Sequence, residues 1–204
     1  MTEKLLTWVL VAGVMAGTVA AIYWARNRDE KAKGPRRASK NGNTAAVLRL
    51  LRYTAANIGG KVIEAVELQK DGDSYYFDGV LIGCFGVYAV QCYGHNGQIY
   101  GNPKDKQWLW VSANKRESMA NPVDQAEQAT RVLRECLIKA GLRNPECEVG
   151  FVFTDARAEL CVPRSVSPMK TKDLRKQLGK EKYRKDKGFD TDRVSEILTQ
   201  YVKQ

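Results

Sequence analysis

The chain is poor in the residue patterns that most directly announce chemistry. Its five cysteines, Cys84, Cys92, Cys136, Cys147 and Cys161, include no CxxC pair, and a zinc site needs such paired spacings. An odd count in mostly apolar surroundings suits a reducing compartment, with the thiols as small buried hydrophobes. No GxxxxGK stretch is present, so nothing signals use of a nucleoside triphosphate. Zinc fingers, recognition-helix signatures and RNA-binding aromatic motifs are also missing. Histidine occurs once, as His95. It could act as a base near neutral pH, but within Gly94–Gly97 it reads first as a polar turn residue. Between Glu30 and Glu64 there is no acid at all.

Positive charge is abundant: 33 Lys and Arg face 23 Asp and Glu, a formal +10. Its placement is uneven. Residues 24–40 carry 7 basic and 2 acidic side chains, residues 164–204 carry 12 and 6, and residues 41–163 carry 13 and 14. Two basic flanks therefore enclose a nearly neutral body, which argues against a large DNA footprint on that body.

Leu5–Ala25 is a run of 21 uncharged residues, about 31 Å as a helix, against a hydrocarbon core of about 30 Å. Trp8 stands near one end, and Tyr23 and Trp24 at the other, as interfacial aromatics do. A cleaved signal peptide would carry its charge before a shorter apolar run. The pattern predicts a single-span anchor at the cell membrane. The basic residues behind it place the N-terminus outside and the rest in the cytoplasm. Gly13 and Gly17 form a GxxxG on which two such helices can pair as a homodimer. The domain plan is an anchor over 1–25, a basic juxtamembrane linker over 26–43, a folded domain over 44–163 and a basic helical extension over 164–204.

The folded part alternates. Residues 44–56 have helical periodicity, ended by Asn57 and Gly59-Gly60. Residues 61–69 alternate as a strand, Asp71-Gly72 turns, and Tyr75–Ile82 and Val87–Tyr93 are apolar runs of the kind covered on both faces. Residues 98–101 and 107–112 read as further strands. Asn121-Pro122 opens a helix that Gly141 stops, and Glu148–Thr154 is another buried strand. LCVP (160–163) is a candidate last strand, and two basic helices follow, around 171–178 and from 190 onward. The order is that of an α/β sandwich.

Asp78, Gly83, Gly86, Val87 and Val90 stand in the pattern DxxxxGxxGVxxV. Gly97, Ile99, Gly101 and Trp108 follow, then Asn121, Pro122 and Gln125 as NPxxQ, then Val152 and Phe153. Taken together over residues 44–162, this resembles the NERD (nuclease-related) domain, a family similar in fold to the PD-(D/E)xK nucleases. The resemblance implies a restriction-endonuclease-like α-β-β-β-α-β core, with helices flanking a central mixed sheet. It also implies catalytic positions: an acid on the second strand, here Asp78, and Glu-x-Lys on the third, here Gln91 and Tyr93. Two residues apart on a strand share a face, so Glu-x-Lys would aim a carboxylate and an ammonium at one spot beside the aspartate. Two carboxylates hold a divalent cation through oxygen, and the cation activates water. With a neutral amide and a phenol in those places, Asp78 alone is a weak metal ligand. Relocated ligands are conceivable at Glu64 or Glu67, with His95 as base.

Lys170, Lys172, Arg175, Lys176, Lys180, Lys182, Arg184, Lys185 and Lys187 form a basic run. They suit phosphates of nucleic acid, or, with acids interleaved, a solvated helix face or an anionic lipid surface. Three readings stand: a membrane-anchored, catalytically degenerate interaction module without cofactor; a Mg²⁺- or Mn²⁺-dependent nuclease with relocated ligands; and a protein that binds nucleic acid without cutting it.

Overall fold

Helix α1 spans Thr44–Ile58 in the computed structural model, which describes residues 43–163, 166 and 169–202. Asn43 caps it, its side-chain oxygen accepting the Ala46 N–H at 3.2 Å. Gly59 ends it in the left-handed region, at φ 65°, where glycine has no Cβ to strain. Strands β1 (Lys61–Lys70), β2 (Asp73–Gly83) and β3 (Gly86–Tyr93) follow. The chain then builds β4 (Gly97–Tyr100), β5 (Gln107–Ser112) and β6 (Lys115–Ala120). Helix α2 (Pro122–Lys139) leads into β7 (Cys147–Phe153). Short strands β8 (Ala158–Cys161) and β9 (Met169–Lys170) precede α3 (Thr171–Leu178), a 3₁₀ turn at Glu181–Tyr183, and α4 (Thr191–Thr199).

Two mixed sheets result, ordered β1-β2-β3-β7-β9 and β6-β5-β4-β8. In the first, β1, β2 and β3 are antiparallel, and β7 and β9 add in parallel. β3 is buried along its whole length, because both faces of this sheet are covered; hence its sequence is apolar without alternation. α1 and α3 cover one face, over Leu81, Tyr88, Val90 and Val152. α2, α4 and the second sheet cover the other, over Phe77, Val80, Ile82, Ala89 and Phe153. The protein is an α/β fold with mixed sheets and flanking helices, and the expected α-β-β-β-α-β order runs as α1-β1-β2-β3-α2-β7 with β4–β6 inserted.

Two strands lie beyond the sequence reading. β6 (KRESMA) has no apolar alternation; it forms by pairing with β5 across a two-residue turn, Ser112 opposite Lys115. β9 has two residues, too short for any period. The division after Pro163 also fails to divide the core. Leu174, Leu178, Tyr183, Val194 and Leu198 are buried among the earlier elements, and the Glu67 N–H donates to the Tyr201 carbonyl at 2.9 Å. The apolar run Leu5–Ala25, its Gly13/Gly17 pair and the linker through residue 42 lie outside the described residues. Among the described residues no helix is long and apolar enough to cross a membrane.

Leu174→Ala and Leu198→Ala, both at sites with no solvent exposure, are each expected to cost about 2–5 kcal/mol. Lys180→Ala in the same segment should stay within about 0.5 kcal/mol. Urea unfolding of the three variants checks this.

Candidate functional site

The candidate site lies where β2 parts from β3. The two strands pair from Gly83↔Gly86 to Gly79↔Val90, and the ladder stops there. β1 stays in register with β2 beyond this point, Val66 opposite Phe77. Both strands of that hairpin shift phase together. Ile63 and Val66 on β1, and Phe77 and Val80 on β2, face the same core although each pair is three residues apart. Strict alternation would put them on opposite faces. The shift is made at Ala65, which has φ 57°, a left-handed conformation that is uncommon for a residue with a Cβ. Asp78 falls at the same level on β2, between the pairs Glu64↔Gly79 and Val66↔Phe77, where the ladder skips a pair.

Gly79 explains why α1 can sit over this opening. A Cβ there would lie 2.7 Å from a Leu51 methyl and 2.8 Å from one of Leu48. Only a glycine lets the helix approach this close.

Two side chains stitch the open ladder. The Asp78 carboxylate accepts the backbone N–H of Cys92 at 2.7 Å, and the Gln91 amide donates to the Tyr76 carbonyl at 3.2 Å. One side chain from each strand thus replaces main-chain bonds that buried strands otherwise need. The Cys92 thiol also hydrogen-bonds Asp78, and Thr44 at the start of α1 hydrogen-bonds the thiol. Burial first, and the Asp78 charge second, push that thiol well above its ordinary range, so it stays protonated.

Gln91 is 1% exposed. Tyr93, two residues on, is buried beside Phe153, ring centroids 5.4 Å apart. Burial, and then the nearby Asp78 charge, raise the Tyr93 phenol far above its usual value; it is neutral and no base. The Gln91 Oε1 and the Tyr93 hydroxyl are both buried without a hydrogen-bond partner. His95 is edge-on to Trp110, centroids 4.9 Å apart, and 6.1 Å from the Tyr93 ring. It therefore packs against aromatics of both sheets. Glu64, opposite Gly79, is ion-paired with Arg52 of α1. Glu67 lies opposite Tyr76, half-buried.

The remaining motif residues hold the scaffold. The Asn121 side chain accepts the Val123 N–H at 2.9 Å, capping α2, and donates to the carbonyls of Pro103 and Asp105 at 2.9 and 2.7 Å. Pro122 occupies the first turn of α2, and the Gln125 N–H donates to the Asn121 carbonyl at 3.0 Å. Trp108 lies flat on Gly101, where a Cβ would come within 2.3 Å of the ring, and its indole N–H donates to the Asn102 carbonyl at 2.9 Å.

A family model described as the nuclease-related domain, NERD, matches residues 39–154, a span that takes in α1 through β7. The chain belongs to this family. No curated protein and no solved structure matches it. In NERD terms, the positions carried from the motif converge on one place, but not as a metal site. The donor set on β2 and β3 is one carboxylate engaged by the Cys92 N–H, one uncharged amide oxygen, and a neutral phenol. A hard divalent cation takes six or more oxygens, carboxylates foremost. Among the described residues no group of three or more His, Cys, Asp or Glu gathers to hold a metal. These residues do not fit Mg²⁺ or Mn²⁺. A cleft of about 390 Å³ lies elsewhere, between the β1–β2 turn and α2, lined by Lys70, Asp71, Tyr75, Arg131 and Glu135.

The segment that carries the basic run is docked on the domain, and two of its lysines are ion-paired. Lys170 sits at the N-cap of α3, its N–H donating to Asp173 at 3.2 Å. Lys182 pairs with Glu148 at 2.6 Å and Lys187 pairs with Glu146. The Tyr183 hydroxyl donates to Glu148 at 2.9 Å, and its ring packs edge-on against Phe85 and Tyr88. Lys172, Arg175, Lys176, Lys180, Arg184 and Lys185 remain exposed.

Asp78→Ala leaves a buried N–H unsatisfied and should cost about 1–3 kcal/mol. Tyr93→Phe removes a hydroxyl that makes no bond and should leave stability unchanged or raise it by up to about 1 kcal/mol. Urea midpoints decide both. The raised Cys92 thiol also predicts pH dependence. Above its ordinary value of 9.0 the unfolded thiol ionises and the folded one does not, so stability falls as pH rises from about 8 to about 10. Cys92→Ala should flatten that slope.

Proposed function

We propose that this NERD protein is a membrane-anchored module that keeps the architecture of a restriction-endonuclease-like nuclease without its chemistry, and that it works through interaction on the cytoplasmic side. The observation that carries the reading is the fate of Asp78 and Gln91. The Asp78 carboxylate accepts the Cys92 N–H and the Gln91 amide nitrogen donates to the Tyr76 carbonyl, so both side chains are fixed by the hairpin backbone. The oxygen that Gln91 keeps is neutral, a poor substitute for a second carboxylate toward a hard cation. Tyr93 stands where an ammonium would stabilise charge on a phosphate, and loss of one such group costs about 10²–10³ in rate. Relocation of ligands is disfavoured by the Arg52 guanidinium on Glu64, which neutralises the carboxylate next along the hairpin.

Anchoring rests on the uncharged run Leu5–Ala25 and the basic residues after it. The fold alone does not assign activity; the residues present at positions 78, 91 and 93, one carboxylate, one amide and one buried phenol, support the reading. Binding of nucleic acid without cleavage is the second reading, supported by the exposed cations of α3.

The full chain in detergent or nanodiscs, incubated with plasmid, single-stranded DNA and RNA in Mg²⁺ or Mn²⁺, should give no cleavage above buffer, and Asp78→Asn should change nothing. Cleavage that disappears in Asp78→Asn, with the variant still folded by circular dichroism, would overturn the degenerate reading.

A further inference from the structure

The face built from α1 and α3 carries charge that neither segment reveals alone. The two helices cover the same side of the five-stranded sheet and pack together over one apolar cluster. On α3, Leu174 and Leu178 point inward while Lys172, Arg175 and Lys176 are exposed. On α1, Arg49 is exposed, and Tyr53, one turn on, is 66% exposed; residues four apart share a helix face. Lys180, Arg184 and Lys185, on either side of the 3₁₀ turn, are exposed as well, with the Arg184 and Lys185 carbonyls beside the Cys84 thiol at the β2–β3 turn.

Most acids of this region are already matched. Glu64 is held by Arg52, Glu146 by Lys187 and Glu148 by Lys182, while Asp173 caps α3. Glu181 and Asp186 are the exposed acids left among the seven free cations. On the opposite side of the sheet the balance differs. α2 carries Asp124, Glu127 and Glu135 against Arg131, Arg134 and Lys139, and the α4 region carries Asp190, Asp192 and Glu196 against Arg193. The molecule is electrically two-sided.

We infer that the α1/α3 face docks on anionic lipid headgroups, with Arg49, Lys172, Arg175, Lys176, Lys180, Arg184 and Lys185 as the phosphate and carboxylate contacts and Tyr53 at the interface. This rests on the anchor reading above. The chain enters α1 directly from the basic residues 24–40 and the uncharged run before them. A tethered surface needs little intrinsic affinity, because the tether sets a high effective concentration. Each basic side chain near an anionic leaflet adds to the attraction. Nucleic acid is the weaker match: single strands are held on several stacking aromatics, and among the described residues of α1 and α3 the exposed aromatic is Tyr53 alone.

The test reconstitutes the full chain in phosphatidylcholine vesicles with and without phosphatidylserine, and maps lysine reactivity by mass spectrometry with an impermeant amine reagent. Lys172, Lys176, Lys180 and Lys185 should react several-fold more slowly when phosphatidylserine is present, and recover in high salt. Lys106, Lys115 and Lys139, exposed elsewhere, should not change. Arg49→Gln with Tyr53→Ser should reduce the protection of the α3 lysines; no reduction overturns the part assigned to α1. Reactivity independent of phosphatidylserine overturns the inference. Equal protection by duplex DNA on neutral vesicles overturns the lipid assignment in favour of nucleic acid. Extraction by alkaline carbonate defeats the anchor reading instead, whereas retention with unchanged labelling defeats the basic face alone.

Discussion

The hydrogen bond from the Cys92 N–H to the Asp78 carboxylate is the contact on which the character of this domain turns. Beyond Gly79 the β2–β3 ladder is open, and buried backbone groups do not tolerate being left unmatched. Asp78 and Gln91 close the gap from opposite strands. In a nuclease-like hairpin the same opening would expose two carboxylates to a cation. Here a neutral amide, able to donate as well as accept, turns the position from a ligand into a stitch. A glutamate at 91 has no N–H with which to reach the Tyr76 carbonyl.

The surrounding aromatics follow from that exchange. A neutral phenol at position 93 can be buried against Phe153, where a lysine ammonium would have to be paired or discharged. His95 is drawn into the same seam by Trp110. The region is part of the hydrophobic interior, and exposed cations stand on α1 and α3, which cover the other side of the sheet.

The elements with strong local signals were legible from the chain. α1 and α2 carry caps and apolar periodicity, and β2, β3 and β7 are apolar runs; their bounds agree with the structure to within about two residues, the usual uncertainty of a helix or strand end. β6 was not legible, because a strand at the edge of a sheet needs only backbone pairing and its side chains are free to be polar. The phase shift at Ala65 was visible only as imperfect alternation: nothing in alanine announces a positive φ. The candidate positions Asp78, Gln91 and Tyr93 could be found by motif. Their engagement with Cys92, Tyr76 and Phe153 could not, since it depends on how far β2 swings from β3.

Sequence alone settled the family, the order of the central elements, the lack of a Glu-x-Lys pair and the concentration of charge in two flanks, because these are properties of residue type and spacing. Tertiary structure decided the rest. It put the C-terminal segment into the core, committed Glu64, Glu146 and Glu148 to ion pairs, and packed α1 against α3, more than a hundred residues away. The reason is physical: hydrogen bonds and burial are satisfied between whichever groups the packing makes neighbours, and separation along the chain does not enter that choice.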